Sequence, residues 1–208
     1  METTSYLKQK ANSGDKDAQF RLGYRLAFDS KHKKWADIVK LWTASAEQGH
    51  TRAKFYLGTC FDFGNGVKKN INKAMHWYVL AAKDGHSVAQ YNVGYSYRNG
   101  DGLSKNLTKA FYWYKKSADS GDIEGMREVG YSYFYGLGVK TNKTLAVSWY
   151  KKAALKSDNK AQFNLGLCYL HGDGVKQSKR WALLWLSKAK VNGNKNADKT
   201  IKREFADA

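Results

Sequence analysis

Apolar and polar residues alternate along this chain with the period of α-helices. In residues 86–98, Ala89, Val93 and Tyr97 recur at i, i+4 and i+8, which places them on one helix face. In residues 106–118, Ala110, Trp113, Tyr114 and Ala118 stand at i, i+3, i+4 and i+8 and predict a second helix. A polar stretch carrying Gly100 and Gly102 lies between them, so the predicted unit is a helical hairpin. The pattern returns every 36 residues. Gly58, Gly94, Gly130 and Gly166 form one ladder; Gly66, Gly102, Gly138 and Gly174 form a second; Gly49, Gly85, Gly121, Ser157 and Gly193 keep the same step. The first ladder falls inside helices, where Gly costs about 1 kcal/mol against Ala, and it predicts close helix contact.

The register divides the chain into repeats 14–48, 49–84, 85–120, 121–156 and 157–192. Repeat 14–48 is one residue short and carries FDSKHKK in place of the GxGV loop. Residues 1–13 resemble the second half of a repeat and 193–208 the first half, so they are expected to act as cap helices. One hairpin cannot bury both of its faces, so neighbours must stack. No Pro-, Ser- or charge-rich linker interrupts the register, and the expectation is one domain over residues 1–208.

The run AQYNVGYSYRNGDGLSKNLTKAFYWYKKSADSG (residues 89–121) closely resembles the Sel-one-like repeat, a relative of the tetratricopeptide repeat. The marks are an AxxxLG-type first helix (Ala53, Leu57, Gly58; Ala161, Leu165, Gly166), the GxGV loop (Gly138, Val139) and a KAxxWYxKAA-type second helix (Lys73, Ala74, Trp77, Tyr78, Ala81, Ala82). The resemblance implies an all-α, right-handed α/α superhelical solenoid whose concave face holds a protein or peptide. The chain departs from the family where Pro and Asp often follow GxGV: here stand Lys68, Ser104, Lys140 and Lys176. It also lacks the paired cysteines of secreted members linked to β-lactam binding, so that activity is not carried over.

By the same analogy, first helices line the concave face at positions three and two before the helix Gly and one and four after it. That set includes Arg21, Tyr24, Tyr56, Tyr91, Asn92, Tyr95, Arg98, Arg127, Glu128, Tyr131 and Asn164. Rigid aromatics supply contact area, and Arg or Asn bind backbone or carboxylate groups, so these residue types suit a peptide surface.

The sequence holds little chemistry beyond recognition. The five histidines, 32, 50, 76, 86 and 171, show no HExxH spacing and no triad pattern. His50 and His86 share one register directly after the inter-repeat Gly and are read as helix-start or packing residues. Cys60 and Cys168 share a register with Ser96 and Ser132, which is the pattern of a small-residue packing slot rather than a nucleophile. GNG, GDG and GLG are loops between helices, not strand-to-helix phosphate cradles. Trp77, Trp113 and Trp149 recur at repeat spacing and are expected in the core. No catalytic residue, metal site or cofactor is assigned.

Composition adds two things. Of 208 residues 42% are hydrophobic and none is Pro, which opposes disorder and agrees with an all-helical chain. Thirty-six Lys and Arg against eighteen Asp and Glu give a formal charge of +18, spread over the repeats rather than gathered in a tail. Lys116, Lys152 and Lys188 recur at 36-residue steps, as Lys140 and Lys176 do with Lys68, and stacking would align them into basic stripes. An acidic protein, an anionic membrane or nucleic acid could meet such a stripe, nucleic acid being the weaker reading. The N-terminus has no basic-then-apolar leader and no run reaches about 18 apolar residues, so the expectation is a cytoplasmic protein without a membrane span, with export by another route left open. Oligomeric state is not legible.

The leading reading is a non-enzymatic adaptor that holds a partner protein or peptide on the concave face. The alternative is an immunity protein that neutralises a cognate secreted antibacterial toxin. A basic nucleic-acid-binding solenoid and a β-lactam hydrolase are the remoter alternatives.

Overall fold

The computed structural model describes residues 3–29 and 33–205. Among them are twelve α-helices and no strand: α1 (Thr4–Asn12), α2 (Lys16–Phe28), α3 (Trp35–Glu47), α4 (Thr51–Phe63), α5 (Ile71–Lys83), α6 (Ser87–Asn99), α7 (Leu107–Asp119), α8 (Ile123–Tyr135), α9 (Lys143–Leu155), α10 (Asn159–His171), α11 (Lys179–Val191) and α12 (Lys195–Glu204). The fold class is the expected all-α helix-turn-helix solenoid. By chain contacts it falls into two compact units, residues to Lys105 and residues from Asn106. In the first, α1 to α6 pack each on the next; in the second, α7 to α12 do the same. The division falls in the loop before α7, inside repeat 85–120, where the sequence shows no linker.

The helix ends are written in the repeat register. Asp15, His50, His86, Asp122, Asp158 and Asn194 each cap a first helix, the side chain accepting a hydrogen bond from a backbone N–H two or three residues on. Asn70, Asn106, Asn142 and Ser178 do this for second helices. Lys34, at the same register in the short repeat, caps α3 with no side-chain bond. His32 and the middle of FDSKHKK lie outside the described residues.

The helical glycines do what their ladder predicts. A Cβ on Gly58 would stand 2.7 Å from the Tyr78 ring, and one on Gly130 2.7 Å from the Tyr150 ring. Each absence of a side chain lets a buried ring pack closely against the first helix. The buried ladder therefore runs Trp42, Tyr78, Tyr114, Tyr150, Leu186, none more than 2% exposed. This corrects the expectation for Trp77, Trp113 and Trp149, which are half-buried. One residue is about 100° around the helix, so only the following position faces the partner glycine.

Buried polar groups tie successive pairs together. The Gln19, Gln90 and Gln162 amides donate to the Ala11, Ala82 and Ala154 carbonyls at 3.2, 3.1 and 3.0 Å, satisfying C-terminal carbonyls of the preceding second helices. Cys60, Ser96, Ser132 and Cys168 are all buried, as a packing slot requires. Desolvation pushes both thiols up to about 12, so neither is a thiolate near neutral pH.

Candidate functional site

In the first unit, α4 and α6 present side chains at helical spacing to a shared cleft of about 780 Å³. Phe55, Thr59, Asp62 and Phe63 come from α4, and Tyr91, Asn92, Tyr95 and Ser96 from α6. Ile71, Met75 and Tyr78 of α5 also line it, as do Lys69 and Gly100–Gly102. The aromatic walls are open to solvent: Phe63 is 72% and Tyr95 49% exposed. The Tyr78 hydroxyl donates to Asp62 Oδ2 at 3.3 Å. Burial, with Asp62 beside it, holds that phenol well above its ordinary value, so it remains a donor.

Three of the sequence-predicted positions, Tyr91, Asn92 and Tyr95, meet in this cleft. Arg98 is half-buried on the same helix, outside the cleft lining. Tyr24 and Tyr56 serve packing instead. Tyr56 lies 5.9, 5.6, 5.1 and 5.4 Å from the rings of Phe20, Tyr24, Trp42 and Phe55, and burial raises its phenol above the ordinary value. Arg52 covers Phe20 and Tyr24 at 4.8 and 5.6 Å. Arg21 is exposed and lines a smaller cleft of about 270 Å³ with Tyr24, Arg25, Asp29 and Arg52.

In the second unit, Arg127 departs from the expected exposure. It is 8% exposed, and its guanidinium donates to Asp158 Oδ2 at 2.5 Å and to Glu128 Oε1 at 3.4 Å. The reason is reach: the side chain spans to the carboxylate that caps the next first helix, α10. Tyr131 is half-buried with its ring 4.5 Å from that of Tyr135, and Asn164 is half-buried.

Lys116, Lys152 and Lys188 are exposed on α7, α9 and α11. Their ammonium groups lie 5.8, 4.0 and 4.8 Å from the ring centres of Tyr112, Trp149 and Trp185. Lys115 also faces the Trp149 ring, at 5.2 Å, while pairing with Asp119 at 2.6 Å. Aromatic rings on the second helices therefore brace cations at the surface.

His50 and His86 are helix caps. Their Nδ1 atoms accept from the Ala53 and Ala89 N–H groups at 3.1 and 3.2 Å, and their rings stack on Phe20 and Phe55 at 4.4 and 4.3 Å. Desolvation lowers both imidazole pKa values, which keeps Nδ1 free to accept. Among the described residues no cluster of three or more His, Cys, Asp and Glu is placed to hold a metal, and no helix is long and apolar enough to cross a membrane.

Sequence reasoning missed Phe55, Asp62, Phe63 and Asp101 as companions of the tyrosines. Phe55, Asp62 and Phe63 stand at i, i+7 and i+8 on α4, a spacing available in the sequence, but only packing shows which face turns to α6.

The chain matches the family model described as Sel1 repeat in five segments, residues 16–33, 51–86, 87–122, 123–158 and 159–194. A Sel1 repeat protein from Oxalobacter formigenes shares its structure with a TM-score of 0.84 and 31% identity, over 93% of this chain and 78% of that one. The immunity protein Pa5087 from Pseudomonas aeruginosa aligns with a TM-score of 0.53 and 24% identity, over 90% and 70% of the two chains. Among curated relatives, the DAP3-binding cell death enhancer 1 of Rattus norvegicus is 36% identical over 74 residues, which is 36% of this chain and 14% of that protein.

Proposed function

This chain belongs to the Sel1 repeat family, and on that premise we propose that it is a non-enzymatic adaptor whose first-helix face holds an extended segment of a partner protein. Proteins of this family are generally interaction scaffolds, and the proposal adds the place. The observation that carries it is the α4–α6 cleft, where exposed aromatic rings stand over an apolar lining that no described residue fills. Large, partly exposed aromatic side chains around a preformed hollow are the usual anchors of protein recognition.

The likeness to an immunity protein is at 24% identity and concerns the fold, and the aromatic cleft favours the general adaptor. The test is affinity capture from the native lysate at low and high salt, with wild type, Tyr95→Ala and Phe63→Ala side by side. A protein partner that persists at high salt and is lost with both variants, while their melting temperatures match wild type, supports the cleft. A partner held equally by all three proteins moves the binding site elsewhere on the array.

A further inference from the structure

We infer that the α4–α6 cleft is selective for an arginine side chain of its partner. The inference rests on the adaptor reading and gives its chemistry. The chain carries a formal charge of +18, yet the cleft lining holds two carboxylates, Asp62 and Asp101, against one ammonium, Lys69. Among the other acidic residues of the first unit, Asp15 caps α2, Asp17 faces His50 at 3.4 Å and Asp84 pairs with Lys54 at 2.6 Å, while Asp29, Asp37 and Glu47 lie outside the cleft lining. Asp62 and Asp101 form no ion pair among the described residues; Asp62 accepts only from the neutral Tyr78 hydroxyl.

A hollow that combines exposed aromatic faces with unpaired carboxylates matches one kind of side chain. A guanidinium is planar, weakly hydrated and always charged; it stacks on rings such as Tyr95 and Phe63 while its N–H groups donate to carboxylate oxygens. An ammonium offers a more strongly hydrated point charge and no planar face. An acidic side chain would meet Asp62 and Asp101 as like charges. The charge of the cleft lining is thus opposite in sign to the net charge of the molecule, and it suits the cationic part of a partner.

The experiment is a heteronuclear NMR titration of the whole chain with three capped amino acids, the acetyl N-methylamides of arginine, lysine and glutamate, each taken to its solubility limit. The expected result is saturable shifts at Asp62, Tyr95 and Asp101 with the arginine probe, roughly tenfold tighter than with the glutamate probe. The lysine probe should bind more weakly than arginine. An Asp62→Asn plus Asp101→Asn variant keeps an acceptor for the Tyr78 hydroxyl and should abolish the preference for arginine over glutamate. Phe63→Ala, at the most exposed wall, is the second variant should the first fail to fold, and it should weaken the arginine probe alone. Absent or diffuse shifts, lysine binding as well as arginine, or an undiminished preference in a folded variant would each overturn the inference. Arginine binding in the cleft, with the lysate partner indifferent to Tyr95→Ala, would retain the cation site and discard the adaptor reading at this place.

Discussion

Arg127 and Asp158 form a charged pair, 2.5 Å apart and nearly enclosed, with side chains 10% and 12% exposed, and the same carboxylate caps helix α10 through the Ala161 N–H. One carboxylate thus closes a helix and fastens it to the preceding first helix. Glu128, 14% exposed, adds a second acceptor at 3.4 Å. Replacing Arg127 by Ala would take the shared cation away from two carboxylates in a poorly hydrated place. Breaking such a pair costs on the order of 3 kcal/mol. Urea unfolding of Arg127→Ala should show a loss of that size; under about 1 kcal/mol would mean that water already reaches the pair.

Gly58→Ala should destabilise despite the better helix propensity of Ala. The propensity gain is about 1 kcal/mol, whereas overpacking a tight contact typically costs about 1–3 kcal/mol. The new Cβ meets the Tyr78 ring at 2.7 Å, and that ring has no room to retreat at 1% exposure. Thermal unfolding is the check, and a raised melting temperature would show that the ring can shift.

Ser157 should be a weak point that a glycine repairs. It holds φ +67°, while Gly49, Gly85, Gly121 and Gly193 occupy the same register at φ 86–91°. A left-handed conformation costs a non-glycine residue about 1–2 kcal/mol. Ser157→Gly is therefore expected to stabilise by about 1 kcal/mol, measured as a shift in the denaturation midpoint at unchanged slope. An unchanged midpoint would mean that the serine is unstrained.

Acid should loosen the array through His50 and His86. Burial lowers both imidazole pKa values in the folded state, so below about pH 6.5 the unfolded chain takes up protons that the folded chain resists. The stability contributed by neutral caps is complete above that pH and declines as pH falls toward the lowered folded values. His86→Asn installs the residue type that caps α12 from the same register, Asn194, and should flatten part of the decline. Denaturation midpoints compared at about pH 7.5 and pH 5.5 test it. A variant with the acid sensitivity of wild type would exonerate this histidine.

Tyr56 and Tyr95 should separate a packed ring from a surface one. Tyr56→Ala removes a half-buried ring packed against Phe20, Tyr24, Trp42 and Phe55 and should cost about 2 kcal/mol, below the range for fully buried aromatics. Tyr95→Ala takes away a side chain that is 49% exposed and should change stability by about 0.5 kcal/mol or less. Equal losses would place Tyr95 in the core and remove it from the cleft wall.

The hairpins, their 36-residue register and the ladder of helical glycines are all legible in the sequence. They follow from local rules: the 3.6-residue period of a helix, the cost of Gly within it, and caps that must lie next to the helix they close. His50 and His86 could be read as helix-start residues because each directly follows an inter-repeat Gly, and the structure adds that Asp122, Asp158 and Asn194 cap first helices from the same register. Tertiary structure decided the rest. Whether Tyr78 or Trp77 enters the core depends on which meets Gly58 across a helix pair. Whether Arg127 reaches solvent depends on Asp158, a residue 31 positions away. Tyr56 precedes Gly58 and Tyr95 follows Gly94 on equivalent helices, and only packing sets the first against the core and makes the second a cleft wall. Periodicity belongs to the single helix and is written along the chain; burial and pairing belong to two helices at once, and their rotation about each other is settled only when they pack.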